Sequence, residues 1–150
     1  MNGTPVWEVL ASKAKRQVRQ AQQQLADAQL RREQAVDRDQ RLDQLLIEYS
    51  EQLNMLQRRA HSTVEAGNYR NFIVQLHIIK GRSSEEFKAL DQACQDARKE
   101  VLVADQERLK IERLGQRARN QRQQAREHRE TREAEAQSMI QFNLRSKLHR

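Results

Sequence analysis

Large apolar side chains are densest in residues 42–79, LDQLLIEYSEQLNMLQRRAHSTVEAGNYRNFIVQLHII, of this 150-residue chain. These side chains form two groups, one ending at Leu56 and one beginning at Val64, on either side of a short polar gap. Outside this stretch the apolar residues are sparse and mostly small. Because a short connection makes two helices antiparallel neighbours, the stretch predicts the closed end of a helical hairpin.

The composition favours long helices over a compact core. Charged residues make up 33% of the chain and aromatic residues 4%, with one Pro and four Gly. Such a composition is typical of a coiled coil. We predict an all-α fold, an antiparallel two-helix coiled-coil hairpin with a long C-terminal helical overhang, as a single domain over residues 1–150. Helix one should cover about 5–59 after a Thr4-Pro5 start, with the bend at about 58–67 and helix two over about 63–145.

A seven-residue repeat of apolar positions runs through both predicted helices. In helix one it extends from Trp7 to Leu56, with charged interruptions at Arg32 and Asp39. A repeat kept over so many heptads predicts a left-handed coiled coil. The residues expected in its seam include Val18, Leu25, Leu42, Leu46, Tyr49, Leu53, Ile73, Leu90, Val101 and Ile111.

Folding the chain about residue 61 predicts which residues face each other. Leu46 then lies opposite the neighbourhood of Leu76, and Trp7 falls near Leu114. Residues beyond about Arg117 have no antiparallel partner, and as a helix they would extend over roughly 45 Å. The segment 115–135 is rich in Arg and Glu. We interpret it either as a solvated helix laced by i,i+3 and i,i+4 ion pairs, or as a segment that orders on a partner.

The bend itself has two interpretations. In the first, Ser62 and Glu65 form a capping box and helix two begins at Thr63. In the second, helix one runs past this point and Gly67 ends it in a left-handed conformation. The first is favoured. Gly81 is interpreted as a weak spot within one continuous helix, because the apolar repeat is kept across it.

The charge and the single cysteine limit the class of protein. A net charge of +7 and a pI of about 10.1 attract nucleic acid, anionic membranes or acidic protein surfaces. Cys94 alone excludes an intrachain disulfide framework. Residues 1–10 lack the pattern of a signal peptide, and no apolar run is long enough to span a membrane. A cytoplasmic protein is therefore expected.

No residue pattern indicates catalysis. The four histidines, at 61, 77, 128 and 149, are scattered and lack clustered metal-binding neighbours. Gly81 follows Lys80 but lacks the flanking sequence of a phosphate loop. We expect no enzyme activity, no cofactor and no metal.

The arginine run after residue 116 is interpreted as a solvated face, as an arm that docks on an acidic surface, or as a nucleic-acid site. Interleaved glutamates and the lack of aromatic residues disfavour nucleic acid.

The second apolar group contains more large side chains than one seam can bury. Ile73 and Leu76 fit the seam together with Tyr69, whereas Phe72 and Ile79 flank Leu76 on an adjacent strip. An exposed apolar strip marks a partner site, and the edge of Leu76 is expected to contribute to it. Packing of the same residues within the end of the hairpin is the alternative.

Two of the motifs quoted above resemble the FliJ family of the bacterial flagellar protein-export apparatus. They are the run Leu42-x-x-Leu45-Leu46-Ile47-x-Tyr49-x-x-x-Leu53 and, after the bend, Asn68-Tyr69-x-x-Phe72-Ile73-x-x-Leu76. The Trp-containing N-terminus and the Arg-, Gln- and Glu-rich tail also agree, so the resemblance covers roughly residues 4 to 135.

The resemblance implies an antiparallel two-helix protein, similar to the stalk subunit of rotary ATPases, that takes part in motility and so in chemotaxis. Family members are not ATPases. Its implied partners are the hexameric flagellar export ATPase, the cytoplasmic domain of the transmembrane export gate, and export chaperones. The implied location is cytoplasmic, peripheral at the inner-membrane export apparatus, with membrane contact only through the gate.

The same resemblance assigns two contact regions. Gate contact falls on Tyr69, Phe72, Leu76 and Ile79. Contact with the ATPase ring, or with another acidic partner, falls on Trp7, Arg117, Arg119, Arg122 and Arg126. The equivalent protein of a virulence type III secretion system, and a basic nucleic-acid-binding coiled coil, are the alternatives.

Overall fold

Two long helices make up the structure, a computed structural model that describes residues 5–59 and 63–148. Helix α1 covers Val6–Arg58 and helix α2 covers Thr63–Leu148, with no strand in the described ranges. The predicted all-α class is confirmed. The predicted caps Thr4 and Ser62, and two of the four histidines, lie outside the described residues.

Local chemistry explains where α1 begins and ends. The carbonyl oxygen of Pro5 accepts hydrogen bonds from the N–H groups of Glu8 and Val9, at 2.9 and 3.2 Å. Pro costs nothing at the start of a helix, and an acidic residue in the first turn interacts favourably with the helix dipole. At the other end, the N–H of Arg59 donates to the carbonyl of Leu56 at 3.2 Å, which tightens the last turn.

The glycines near the start of α2 do not interrupt it. Gly67 lies inside α2, so the alternative in which Gly67 ends helix one is wrong. Gly81 also lies within the continuous helix, as predicted. A Cβ atom at either position would meet nothing within 4 Å. Their effect is therefore limited to the lower helix propensity of glycine.

The contacts divide the described residues into two units, each considered by itself. One comprises Gln17–Ala104, here called the hairpin unit, and the other the described parts of Met1–Arg16 and Asp105–Arg150, here called the terminal unit. In the hairpin unit, residues further along α1 face residues earlier along α2, so the two helices are antiparallel. The facing pairs are Arg32 with Asp91, Arg38 with Glu86, Asp43 with Lys80, and Tyr49 with Phe72.

In the terminal unit the indole of Trp7 packs where a glycine leaves space. Trp7 Cβ lies 3.5 Å from the position that a Cβ on Gly115 would occupy. Gly115 is buried, whereas Leu114 remains 37% exposed. The sequence had predicted Trp7 near Leu114 and Gly115 in a solvated segment. Trp7 is found at Gly115, the residue next to Leu114. Only the expectation that Gly115 is solvated is corrected, because this position without a side chain accommodates the indole.

Small residues dominate the fully buried positions, so the helices approach closely but bury little area at each layer. The buried apolar residues are Ala14, Val18, Ala21, Ala35, Leu76, Cys94 and Ala97. Most of the larger seam candidates are half-buried, because a single partner helix covers only one side of them. These are Leu25, Leu42, Leu46, Tyr49, Leu53, Ile73, Leu90, Val101 and Ile111.

Candidate partner-binding surfaces

The proposed gate contacts on α2 divide into exposed and buried residues. Phe72 is 40% exposed and Ile79 is 46% exposed, whereas Leu76 is only 4% exposed and Tyr69 is half-buried. The expectation that an edge of Leu76 is free for a partner is therefore wrong. Leu76 occupies a seam position and faces α1, which covers it. The accessible strip consists of Phe72 and Ile79, here called the α2 strip.

An aromatic cluster fixes the inner side of this strip. The ring centroid of Tyr49 lies 4.5 Å from that of Phe72 and 5.8 Å from that of Tyr69, with interplanar angles of 50° and 49°. These distances and tilted angles fall in the favourable range for aromatic pairs. Phe72 thus packs on α1 and still presents part of its surface to solvent. Both interpretations of the apolar excess, packing and exposure, apply to this one residue.

Further exposed apolar residues lie near the same end of the hairpin unit. On α2 these are Val74 and Ile78, and on α1 they are Ile47 and Met55. All four belong to the two apolar groups identified in the sequence, where they were assigned to no surface. Their signal was the excess of large apolar residues over the number that the heptad repeat places in the seam. The repeat identifies seam positions and leaves the direction of the others open.

A groove lies beside Trp7 in the terminal unit. Its volume is about 650 Å³, and its floor includes Ala11 and Ile111 as well as Gly115. Charged side chains of both signs border it: Glu8, Lys15, Glu112, Arg113 and Arg119. Only Trp7 and Arg119 of this groove were predicted as contact residues. The seam repeat of α2 continues through Gly115, which Trp7 faces. A glycine facing a tryptophan is a signal in the sequence that could have revealed the groove.

The arginine-rich part of α2 is helical and exposed. All of residues 119–148 are exposed, including Arg119, Arg122 and Arg126, and Arg117 is exposed just before them. The side chain of Arg119 donates a hydrogen bond from Nη2 to Gln116 Oε1 at 2.8 Å. Within 113–148, no ion pair joins two described residues. The predicted lacing by ion pairs is therefore not formed.

The order of the charges explains this absence. The i,i+4 pairs, such as Arg126 with Glu130 and Arg129 with Glu133, place the cation first, which is the weaker order in a helix. Several i,i+3 neighbours carry like charges, as Arg126 and Arg129 do. The arginines of this segment are consequently left without carboxylate partners among the described residues.

Arg108 shows the contrast one turn before the groove. Its guanidinium donates to Asp105 and Glu112, each at 2.9 Å, on the same helix. These hydrogen bonds, first to Asp105 and then to Glu112, raise the pKa of Arg108 above its ordinary value. Arg108 thus has carboxylate partners within its own helix, whereas the arginines after residue 116 have none among the described residues.

In the part of the chain that the structure describes, no three His, Cys, Asp or Glu residues come together as metal ligands. Neither α1 nor α2 contains a segment apolar enough to cross a membrane. Cys94 is buried as a free thiol in the seam.

Comparison with known proteins gives one match. Residues 8–147 match the family described as "Flagellar FliJ protein". No curated protein and no solved structure matches the chain. The match covers nearly all of the chain and includes the candidate contact residues except Trp7.

Proposed function

We propose that this chain, which belongs to the FliJ family of flagellar proteins, is a non-catalytic export component that activates the hexameric export ATPase and links it to the export gate. We extend the proposal to export chaperones as a third class of partner. The protein would work in the cytoplasm and reach the inner membrane only through the gate. The observation that carries the proposal is the exposed arginine segment, whose charges have no carboxylate partner among the described residues.

The terminal unit supports the ATPase contact. It combines the groove beside Trp7 with Arg119, which borders the groove, and with the exposed residues Arg117, Arg122 and Arg126. An open groove and unpaired cations on a helix give a partner both shape and charge to recognise. An ATPase ring that encloses this unit would contact both the groove beside Trp7 and the arginines of α2.

The α2 strip supports the gate contact. Ile79 follows Phe72 by seven positions, about two helical turns, so both lie on one side of α2. Because both side chains remain at least 40% exposed, a partner can bury them without unfolding the hairpin unit. Exposed apolar side chains of this kind favour a protein partner.

The ATPase contact is tested by hydrolysis with the cognate export ATPase. The full chain should raise hydrolysis at low enzyme concentration, where assembly of the ring limits the rate. A chain ending at Ala118 lacks the exposed segment and should lose most of the stimulation. Equal stimulation by both chains would place the activating contact elsewhere, and no stimulation or co-elution by the full chain would reject the stalk function.

The gate contact is tested with Ile79→Ala and with Leu102→Ala as the matched control. Both replace a large exposed apolar residue of α2, but Leu102 lies away from the strip. Binding to the cytoplasmic domain of the gate should weaken for Ile79→Ala and stay unchanged for Leu102→Ala. Equal binding by the two variants would remove the α2 strip from the gate contact.

The family match favours the flagellar system over the equivalent virulence system. Nucleic-acid binding is proposed to be absent, because glutamates interrupt the basic segment after residue 126. A titration with a DNA duplex tests whether nucleic acid binds, since a phosphate-binding segment would give a signal that falls steeply with salt.

A further inference from the structure

The arginine segment continues a helix face that is covered elsewhere in the terminal unit. On α2 the seam repeat passes through Arg108, Ile111, Gly115 and Ala118, all of which are half-buried or buried. The same spacing then reaches 122, 125, 129 and 132, where every residue is exposed. From residue 119 onward no second helix covers this face in the part of the chain that the structure describes.

This uncovered face is unusually basic. Its seam positions carry Arg122, Arg129 and Arg132, with alanine at 125, and Arg119 and Arg126 flank them. No acidic residue occurs between Glu112 and Glu127. A second copy of the same face would set arginine against arginine, which disfavours self-pairing. Charge complementarity calls instead for an acidic partner.

The hairpin unit shows how this protein accommodates an arginine between two helices. Arg32 occupies a seam position of α1, and its Cζ lies 5.2 Å from the centroid of the Phe87 ring. Its Nε donates to Asp91 Oδ1 at 2.8 Å. Phe87 and Asp91 are four residues apart, so one helix face supplies both the ring and the carboxylate. An arginine in a helix seam is thus matched by an apolar ring and an acid one turn further on.

We infer that the face formed by Arg119, Arg122, Arg126 and Arg129 binds an acidic amphipathic helix of a partner protein, which extends the two-helix seam. The partner helix carries a large apolar or aromatic residue followed four positions later by Asp or Glu, as Phe87 and Asp91 do in this chain. The inference rests on the proposed ring contact and specifies the chemistry of the partner there.

The test uses the full chain and a labelled synthetic peptide of about three heptads, with Phe-x-x-x-Glu pairs on one face. A control peptide carries Gln in place of each Glu. Binding is measured by fluorescence anisotropy at physiological salt. The acidic peptide should bind, and the neutral peptide should bind at least about tenfold more weakly.

Two double variants with the same change in charge locate the interface. Arg122→Gln with Arg129→Gln alters the seam positions, whereas Lys99→Gln with Arg145→Gln alters positions that the repeat places on the outer side of α2. The first should weaken peptide binding about tenfold and the second less than about threefold, with helicity by circular dichroism unchanged in both.

Equal losses in the two double variants would overturn the inference, because they would show attraction by net charge alone. Equal binding of the neutral and acidic peptides would overturn it too, as would tighter binding of a DNA duplex through the same arginines. If the chain stimulates the export ATPase but does not bind the acidic peptide, this inference fails and the proposed function stands. If the peptide binds but hydrolysis is unaffected, the proposed function fails instead.

Discussion

Arg32 on α1 donates from Nε to Asp91 Oδ1 on α2 at 2.8 Å, while its guanidinium lies over the ring of Phe87. The sequence had marked Arg32 as a charged interruption of the apolar repeat. The structure shows that the opposite helix compensates for this interruption with a ring and a carboxylate. Both charged side chains are still more than a third exposed, so their attraction is screened by water.

Asp91→Ala should lower the free energy of unfolding only slightly, by about 0.5 kcal/mol, because the ion pair is partly exposed. Arg32→Ala should cost about 1 kcal/mol, since it also removes the stacking on Phe87. Urea unfolding followed by circular dichroism measures both. The double variant should fall short of the sum by about 0.5 kcal/mol. Strict additivity would show that the two side chains do not interact in solution.

Gly115→Ala should stabilise the terminal unit by up to about 1 kcal/mol, because alanine favours helix more than glycine does. The new Cβ would meet Trp7 Cβ at 3.5 Å, which is an ordinary contact distance. Gly115→Leu should instead displace the indole. Trp7 is the only tryptophan of the chain, so its fluorescence reports this displacement as a shift to longer wavelength. An unshifted spectrum for Gly115→Leu would contradict the packing of Trp7 on this position.

Gly81→Ala should raise the free energy of unfolding by up to about 1 kcal/mol, since nothing lies near the new methyl group and the position is helical. The melting temperature, measured by circular dichroism, should rise accordingly. Gly67→Ala is the matched comparison, with equally open space near the start of α2. A loss of stability at Gly81 alone would indicate that α2 is not continuous there.

Leu76→Ala and Ile79→Ala should differ in stability although they lie three residues apart. Leu76 is buried, so its truncation removes seam packing and should cost about 2 kcal/mol or more. Ile79 is 46% exposed and should cost less than about 1 kcal/mol. Chemical denaturation of the two variants side by side checks this order. The difference also makes Ile79→Ala the better test of gate binding, because the variant should stay folded.

Removal of residues 119–148 should leave the melting temperature of the remaining chain almost unchanged. Every described residue in that segment is exposed, and within 113–148 no ion pair joins two described residues. The transition measured by circular dichroism should lose amplitude in proportion to the helical residues removed, with its midpoint kept. A large fall in the midpoint would mean that the segment contributes packing to the rest of the chain.

The sequence by itself determined the all-helical class and the periodic positions that are covered in the structure. Helix periodicity is a local property, and the repeat from Trp7 to Leu56 and from Tyr69 to Ile111 names positions that are half-buried or buried in the structure. The continuity of α2 through Gly81 followed from the same repeat.

Only the tertiary structure decided which flanking residues stay accessible. It showed that α1 covers Leu76 but leaves Ile79 exposed, and that the indole of Trp7 packs at Gly115, which the sequence had placed in a solvated segment. It also showed that the arginines after residue 116 lack carboxylate partners among the described residues. These outcomes depend on the shape and charge of the facing helix, and such non-local contacts are not encoded in the periodicity of either helix alone.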